Sequence, residues 1–207
     1  MDRQLTFRSR SERISFQVKT KTLAVLAMLV MLLLVCMAFS MLLGSSMTPL
    51  SELIRTVIGH GTAENNQIIG ILRMPRILVA VLAGAAFGVS GAILQGVIRN
   101  PLASPDILGI TGGASFAAVA FITYLLGDVS IKWLPVAAFA GAAIVSLVIY
   151  MLAWSKGVTP IRLVLIGIGI SAITSALTML MITLSPITSA GKAYIWLTGS
   201  VYGASWE

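Results

Sequence analysis

The chain has 207 residues, of which 57% are hydrophobic and 10% charged, against roughly a quarter charged in ordinary globular domains. This excludes a water-soluble globular domain and leaves room for about five helices across a hydrocarbon core about 30 Å thick. The net charge is +7, but six of the fourteen Lys and Arg lie in the first 21 positions, ahead of the first apolar run, a pattern of membrane topology and not of a nucleic-acid surface.

Residues 1–21 therefore read as a basic cytoplasmic tail carrying Arg3, Arg8, Arg10, Arg13, Lys19 and Lys21. The uncharged run 22–43 is longer than the roughly 7 to 15 residues of a signal-peptide core and is followed by no A-x-A site, so it is a retained first transmembrane helix. Cys36, the sole cysteine, lies inside it, which leaves neither a disulfide framework nor a Cys/His metal set.

Residues 44–76 form an external loop. Within it, "TPLSELIRTVIG" places Pro49 at a helix start and Leu50, Leu53, Ile54, Val57 and Ile58 on one side, which predicts a short amphipathic helix on the membrane surface. His60 follows in "HGTAENNQ" with no second ligand at metal spacing, and reads as a solvated loop histidine. "RMPR" then sets Arg73 and Arg76 on the outer side, against the usual inside bias, with Pro75 helping to start the second span at 77–98. The two arginines either snorkel to headgroups or offer guanidinium forks to an acidic protein.

Between the second and third spans runs "VIRNPLASPDILGITGG". Pro101 and Pro105 forbid a continuous helix, Asn100 and Asp106 favour turns, and Gly109 permits close backbone approach. Residues 99–109 are thus a broken cytoplasmic connection expected to fold back into the bundle, since bare backbone at membrane depth survives only where protein or water covers it. The remaining spans are 110–126, 134–154 and 163–184, the first of them short, and 185–207 is external.

Counting Lys and Arg with this topology puts nine inside, including Arg99, Lys156 and Arg162, and five outside, including Arg55, Lys132 and Lys192. No Asp, Glu, Lys, Arg or His lies within any span, which argues against a proton-coupled carrier. Small residues do recur at helical spacing, as Gly84, Gly88, Ala92 and Gly96 in the second span and Gly167, Ser171 and Ser175 in the fifth. Such stripes serve close helix packing or line a path or subunit seam. No Walker A pattern occurs, so the chain reads as a conduit with no catalytic residues, no cofactor and no metal site.

The stretch "LRMPRILVAVLAGAAFGVSGAILQGVIRNPLASPDILGITGGASF", with "IRLVLIGIGISAITSALTMLMI" and "WLTGSVYGASW", resembles the permease subunit of FecCD-type ABC importers, which take up ferric siderophores, haem and vitamin B12. The resemblance implies an all-α polytopic helix bundle in the bacterial cytoplasmic membrane, with about five of some ten helices present here. It implies that Arg73 and Arg76 dock an extracellular or periplasmic substrate-binding protein. It carries the broken-loop motif onto Asn100, Pro101, Leu102, Ala103, Pro105, Leu108 and Gly109. It places Gly167, Ser171 and Ser175 at the translocation path or dimer interface.

Its partners would be an ATP-binding cassette ATPase, a second permease subunit, identical or different, and membrane lipid, with no nucleic acid. The chain ends where a sixth helix would begin, so an N-terminal portion of a longer permease is expected. A passive channel or secondary carrier is the alternative, and a purely structural scaffold would leave the outer arginines unexplained.

Overall fold

The computed structural model describes residues 4–8, 15–44, 48–101, 103–154 and 159–206. Leu102 of the broken-loop motif, and Arg3, Arg10, Arg13 and Lys156 of the basic count, lie outside the described residues. The chain divides into two compact units, one reaching to Val81 and taking in the stretch from Tyr202 onward, the other Leu82–Val201.

In the first unit, strands β1 (Gln4–Arg8) and β2 (Ser15–Lys19) pair antiparallel, with Phe7 opposite Phe16. Helix α1 (Thr20–Leu42) follows directly. At 1.5 Å per residue its 23 residues reach about 35 Å, enough to cross a bilayer. None of its side chains is buried, and from Leu23 onward all but Cys36, Phe39 and Ser40 are aliphatic or Met. Such an all-round apolar surface is that of a helix solvated by lipid or by other helices.

Helix α2 (Leu50–Val57) begins after Pro49 and carries Glu52 in its first turn and Arg55 in its last, both signs matched to the helix dipole. Leu53 is buried, while Leu50, Ile54 and Ile58 are exposed. Glu52 ties α2 to the next helix, accepting from Asn65 Nδ2 at 3.1 Å, and also pairs with Arg55 at 3.3 Å. Helix α3 (Ala63–Asn65) is capped by Thr62, whose hydroxyl accepts from Asn65 N at 3.3 Å.

From α3 the chain runs without a break through a π-helical segment (Asn66–Arg73) into α4 (Met74–Ile98). The continuous helix Ala63–Ile98 spans 36 residues, so the helix begins well before the second apolar run. Met74 N–H reaches back five residues to Ile69 O. The next donor in that register would be Pro75, which has none.

In the second unit, Arg99 takes a left-handed φ of 55° and ends α4. A 3-10 turn (Pro105–Leu108) and left-handed Gly109 lead into α5 (Ile110–Tyr124). After another 3-10 turn (Ile131–Trp133) come α6 (Leu134–Ala153), α7 (Pro160–Leu184) and α8 (Ile187–Leu197). Helix α5 is the hub, and Val119, Phe121 and Ile122 on it join Leu134, Ala138, Ile182 and Ala193 in one core.

Helices α5 and α6 cross with almost no space between backbones. A Cβ placed on Gly113 would lie 2.7 Å from Gly141 O, the close approach that small residues allow where no hydrophobic force separates helix from lipid. Among the described residues four helices are long and apolar enough to cross a membrane, Thr20–Leu42, Ala63–Ile98, Ile131–Ala153 and Pro160–Leu184, with Ile110–Tyr124 a shorter apolar fifth. The chain is an all-α, multi-pass membrane bundle with a small N-terminal hairpin.

Candidate functional site

The 3-10 turn at Pro105–Leu108 lies flat on α7 because two glycines remove the side chains that would hold the backbones apart. A Cβ on Gly167 would sit 2.8 Å from Leu108 Cα, and one on Gly109 would sit 2.7 Å from Ser171 N. Gly109 also needs its left-handed φ of 72° to turn the chain into α5. Ala103 and Leu108 are buried beneath the turn. Asn100 accepts from Ala103 N at 3.1 Å through its carbonyl, and Pro101 is exposed.

Above this notch opens a groove of about 410 Å³. Its walls are Asp106, Thr111, Gly112 and Ser115 on one side, Ser171, Ser175, Thr178, Met179 and Ile182 of α7 on the other, and Tyr194 and Leu197 of α8. On α7 the positions Ser171, Ser175, Thr178 and Ile182 follow the spacing of one helix face. On α5, Thr111 and Ser115 do the same.

The groove therefore presents hydroxyls from two facing helices. Thr178 Oγ1 donates to Thr174 O at 2.7 Å, and Thr174 Oγ1 donates to Ile170 O at 3.0 Å and Ser171 O at 3.1 Å. The Thr178 proton is thus taken up by α7 itself and its oxygen keeps acceptor capacity toward the groove, while Thr174 lies buried behind the lining. Among the described residues, Asp106 is the only carboxylate in the lining and no cationic residue lines it.

The structure separates the predicted stripe. Ser171 and Ser175 line the groove, whereas Gly167 is buried against Leu108 and makes room for the turn. Thr111, Ser115, Thr178 and Tyr194 escaped the sequence reading. The hydroxyl spacing along α5 and α7 was the available signal, but small-residue spacing alone does not say which face meets space.

The arginine pair lies in the first unit. Arg73 is 9% exposed, and its Nη1 donates to Met41 O and to Thr48 Oγ1, the latter at 3.2 Å. Arg76 is half-buried, with its guanidinium carbon 4.3 Å from the centre of the Tyr202 ring. The indole Nε1 of Trp206 donates to Gly70 O at 2.7 Å. Among the described residues no group of three or more His, Cys, Asp or Glu could hold a metal, and His60 is exposed.

Against known proteins, the FecCD transport family matches residues 32–207. The achromobactin transport system permease protein CbrC of Dickeya dadantii (strain 3937) is 46% identical over 198 residues, covering 96% of this chain and 57% of that protein. The iron(3+)-hydroxamate import system permease protein FhuG of Bacillus subtilis (strain 168) is 41% identical, covering 91% of this chain and 59% of its own length. The chain thus spans somewhat more than half the length of these relatives.

Among solved structures, an inward-facing transporter described as of the metal-chelate ABC type superposes with a TM-score of 0.76 at 27% identity, over 88% of this chain and 55% of that one. With the family match running from the middle of α1 to residue 207 and relatives above 40% identity across nearly the whole chain, this protein belongs to the FecCD transport family.

Proposed function

We propose that the chain forms the matched portion of a permease subunit in an ABC importer for a ferric siderophore or related iron chelate, in the bacterial cytoplasmic membrane. The observation that carries this reading is the groove between α5, α7 and α8, lined by hydroxyls and, among the described residues, bare of cations. Ferric chelates are large, polar and often anionic. A wall of hydroxyls offers exchangeable hydrogen bonds without the tight charge pairing that would trap such a cargo, as conduction requires weak, multiple contacts.

The relatives' names, which speak of achromobactin and of iron(3+)-hydroxamate, support the substrate class. Energy would come from ATP hydrolysed in a separate subunit, because this sequence has no phosphate-binding loop. A second permease, identical or different, would complete the path, and a substrate-binding protein would deliver cargo at the outer arginines. The tail and residues 99–109 would face the cytoplasm and the loop 44–76 the outside.

The groove reading is tested by Ser175→Cys in a Cys36→Ser background, in the assembled importer. A bulky thiol reagent attached at position 175 should block ferric-chelate uptake, and the chelate added first should protect the cysteine. Full uptake after complete modification would remove α7 from the path.

A further inference from the structure

The two outer arginines are three residues apart in sequence, yet the structure gives them opposite surroundings. The last carbonyls of α1 have no intrahelical partner and carry the negative end of the helix dipole. Arg73 reaches Met41 O among them and takes Thr48 Oγ1 with the same nitrogen. Thr48 is itself buried and returns its N–H to Leu42 O at 3.2 Å.

The guanidinium of Arg73 lies against the bare Cα of Gly44, where a Cβ would fall 2.7 Å from Nη2 and 3.0 Å from Cζ. This arginine is spent inside the protein. It closes the end of α1 and binds it to the start of α4. A docking partner would have to break those bonds to use it.

Arg76 is held differently. Its face is stacked on Tyr202, and its buried Nε has no hydrogen-bond partner among the described residues. Stacking fixes a guanidinium through its π face and leaves the two terminal Nη groups, in its plane, for a carboxylate, which they can bind bidentately.

The segment that supplies Tyr202 is anchored in turn. Pro75 cannot donate to Gly70 O in the π register that precedes it, and the Trp206 indole fills that carbonyl. One short segment thus grips the entry to α4 at two points, a backbone carbonyl left open by a proline and a guanidinium one turn beyond Arg73.

We propose that Arg73 is a positioning residue and Arg76 the docking residue, with Tyr202 and Trp206 forming an aromatic clasp that presets Arg76 for carboxylates of the substrate-binding protein. This rests on the docking reading above, and two measurements keep the two apart. In membranes holding the full chain, the arginine-selective reagent phenylglyoxal, followed by mass spectrometry, should modify Arg76 several-fold faster than Arg73. Tyr202→Ala should speed modification of Arg76 further and leave Arg73 unchanged. Equal rates at the two arginines would overturn the division of roles whatever the partner does.

In the assembled importer, Arg76→Glu should weaken capture of the cognate substrate-binding protein about tenfold, with recovery when a facing carboxylate of that protein is reversed to Lys. Arg73→Glu should not be recovered by any such reversal, while Arg73→Lys, which keeps a donor for Met41 O, should restore capture. Rescue of Arg73→Glu by a reversed partner would overturn the positioning role. Undiminished capture by Arg76→Glu would overturn the docking reading itself.

Discussion

Gly109→Ala is a sharp test of how the broken connection is held on α7. Two costs combine at this position. The left-handed φ of 72° puts a Cβ close to the following carbonyl, at about 1–2 kcal/mol. The added Cβ would also lie 2.7 Å from Ser171 N and 2.8 Å from Ser171 Cα. Both are backbone atoms with no rotamer to yield, so overpacking adds about 1–3 kcal/mol.

Gly199 supplies the control, with a φ of 74° and nothing within 4 Å of its would-be Cβ. Gly199→Ala should carry the backbone strain alone, about 1–2 kcal/mol. The assay is thermal unfolding of the purified chain in detergent, followed by tryptophan fluorescence. At about 2–4 °C per kcal/mol for a chain of this size, Gly199→Ala should lower Tm by about 2–8 °C and Gly109→Ala by about 4–20 °C. Equal shifts for the two variants would show that the turn does not press on Ser171, and would refute the notch between Leu108, Gly109, Gly167 and Ser171.

Three further outcomes are expected. Trp206→Phe keeps an aromatic ring but removes the donor to Gly70 O, and should cost about 0.5–1.5 kcal/mol, the net worth of an ordinary hydrogen bond; an unchanged Tm would mean that water replaces the indole. Ser171→Ala with Ser175→Ala removes two hydroxyls of the groove without adding bulk beside Gly109, and should slow ferric-chelate uptake while changing stability by no more than about 0.5 kcal/mol; normal uptake would deny the hydroxyls a role. In a Cys36→Ser background, Asn65→Cys should react with a membrane-impermeant thiol reagent from outside and Ser9→Cys only after permeabilisation. The reverse pattern would invert the topology.

The long spans were legible because lipid makes no demand for periodicity. A run of some 20 residues without charge is enough, and α1 and α6 lie close to the predicted limits for that reason. Boundaries slipped where charge or polarity sits inside a helix. Counting uncharged runs starts the fifth span at position 163, whereas Pro160 begins α7 with Arg162 in its first turn.

The polar "ENNQ" reads as a loop, yet Thr62 caps a helix there and the chain continues through the π segment into α4. Helix α8, with Lys192 within it, falls in a stretch read only as external. The class and family followed from composition and from motifs such as "NPLASPDILG", while the site was legible only in pieces. Ser171 and Ser175 share a spacing with Gly167, but only a folded chain distinguishes a glycine pressed on Leu108 from serines facing space. Trp206 and Gly70 stand 136 residues apart, and no local pattern announces a carbonyl that a proline leaves open.

The central claim is that this chain builds part of an ATP-driven path for an iron chelate. The direct measurement is accumulation of radiolabelled ferric chelate in proteoliposomes holding the complete permease that contains this sequence, with its ATPase and substrate-binding protein. Uptake should require all three components and ATP, and should fall to background when the binding protein is omitted. Equal uptake without ATP or without the binding protein would contradict the account and make the chain part of a passive channel or a secondary carrier.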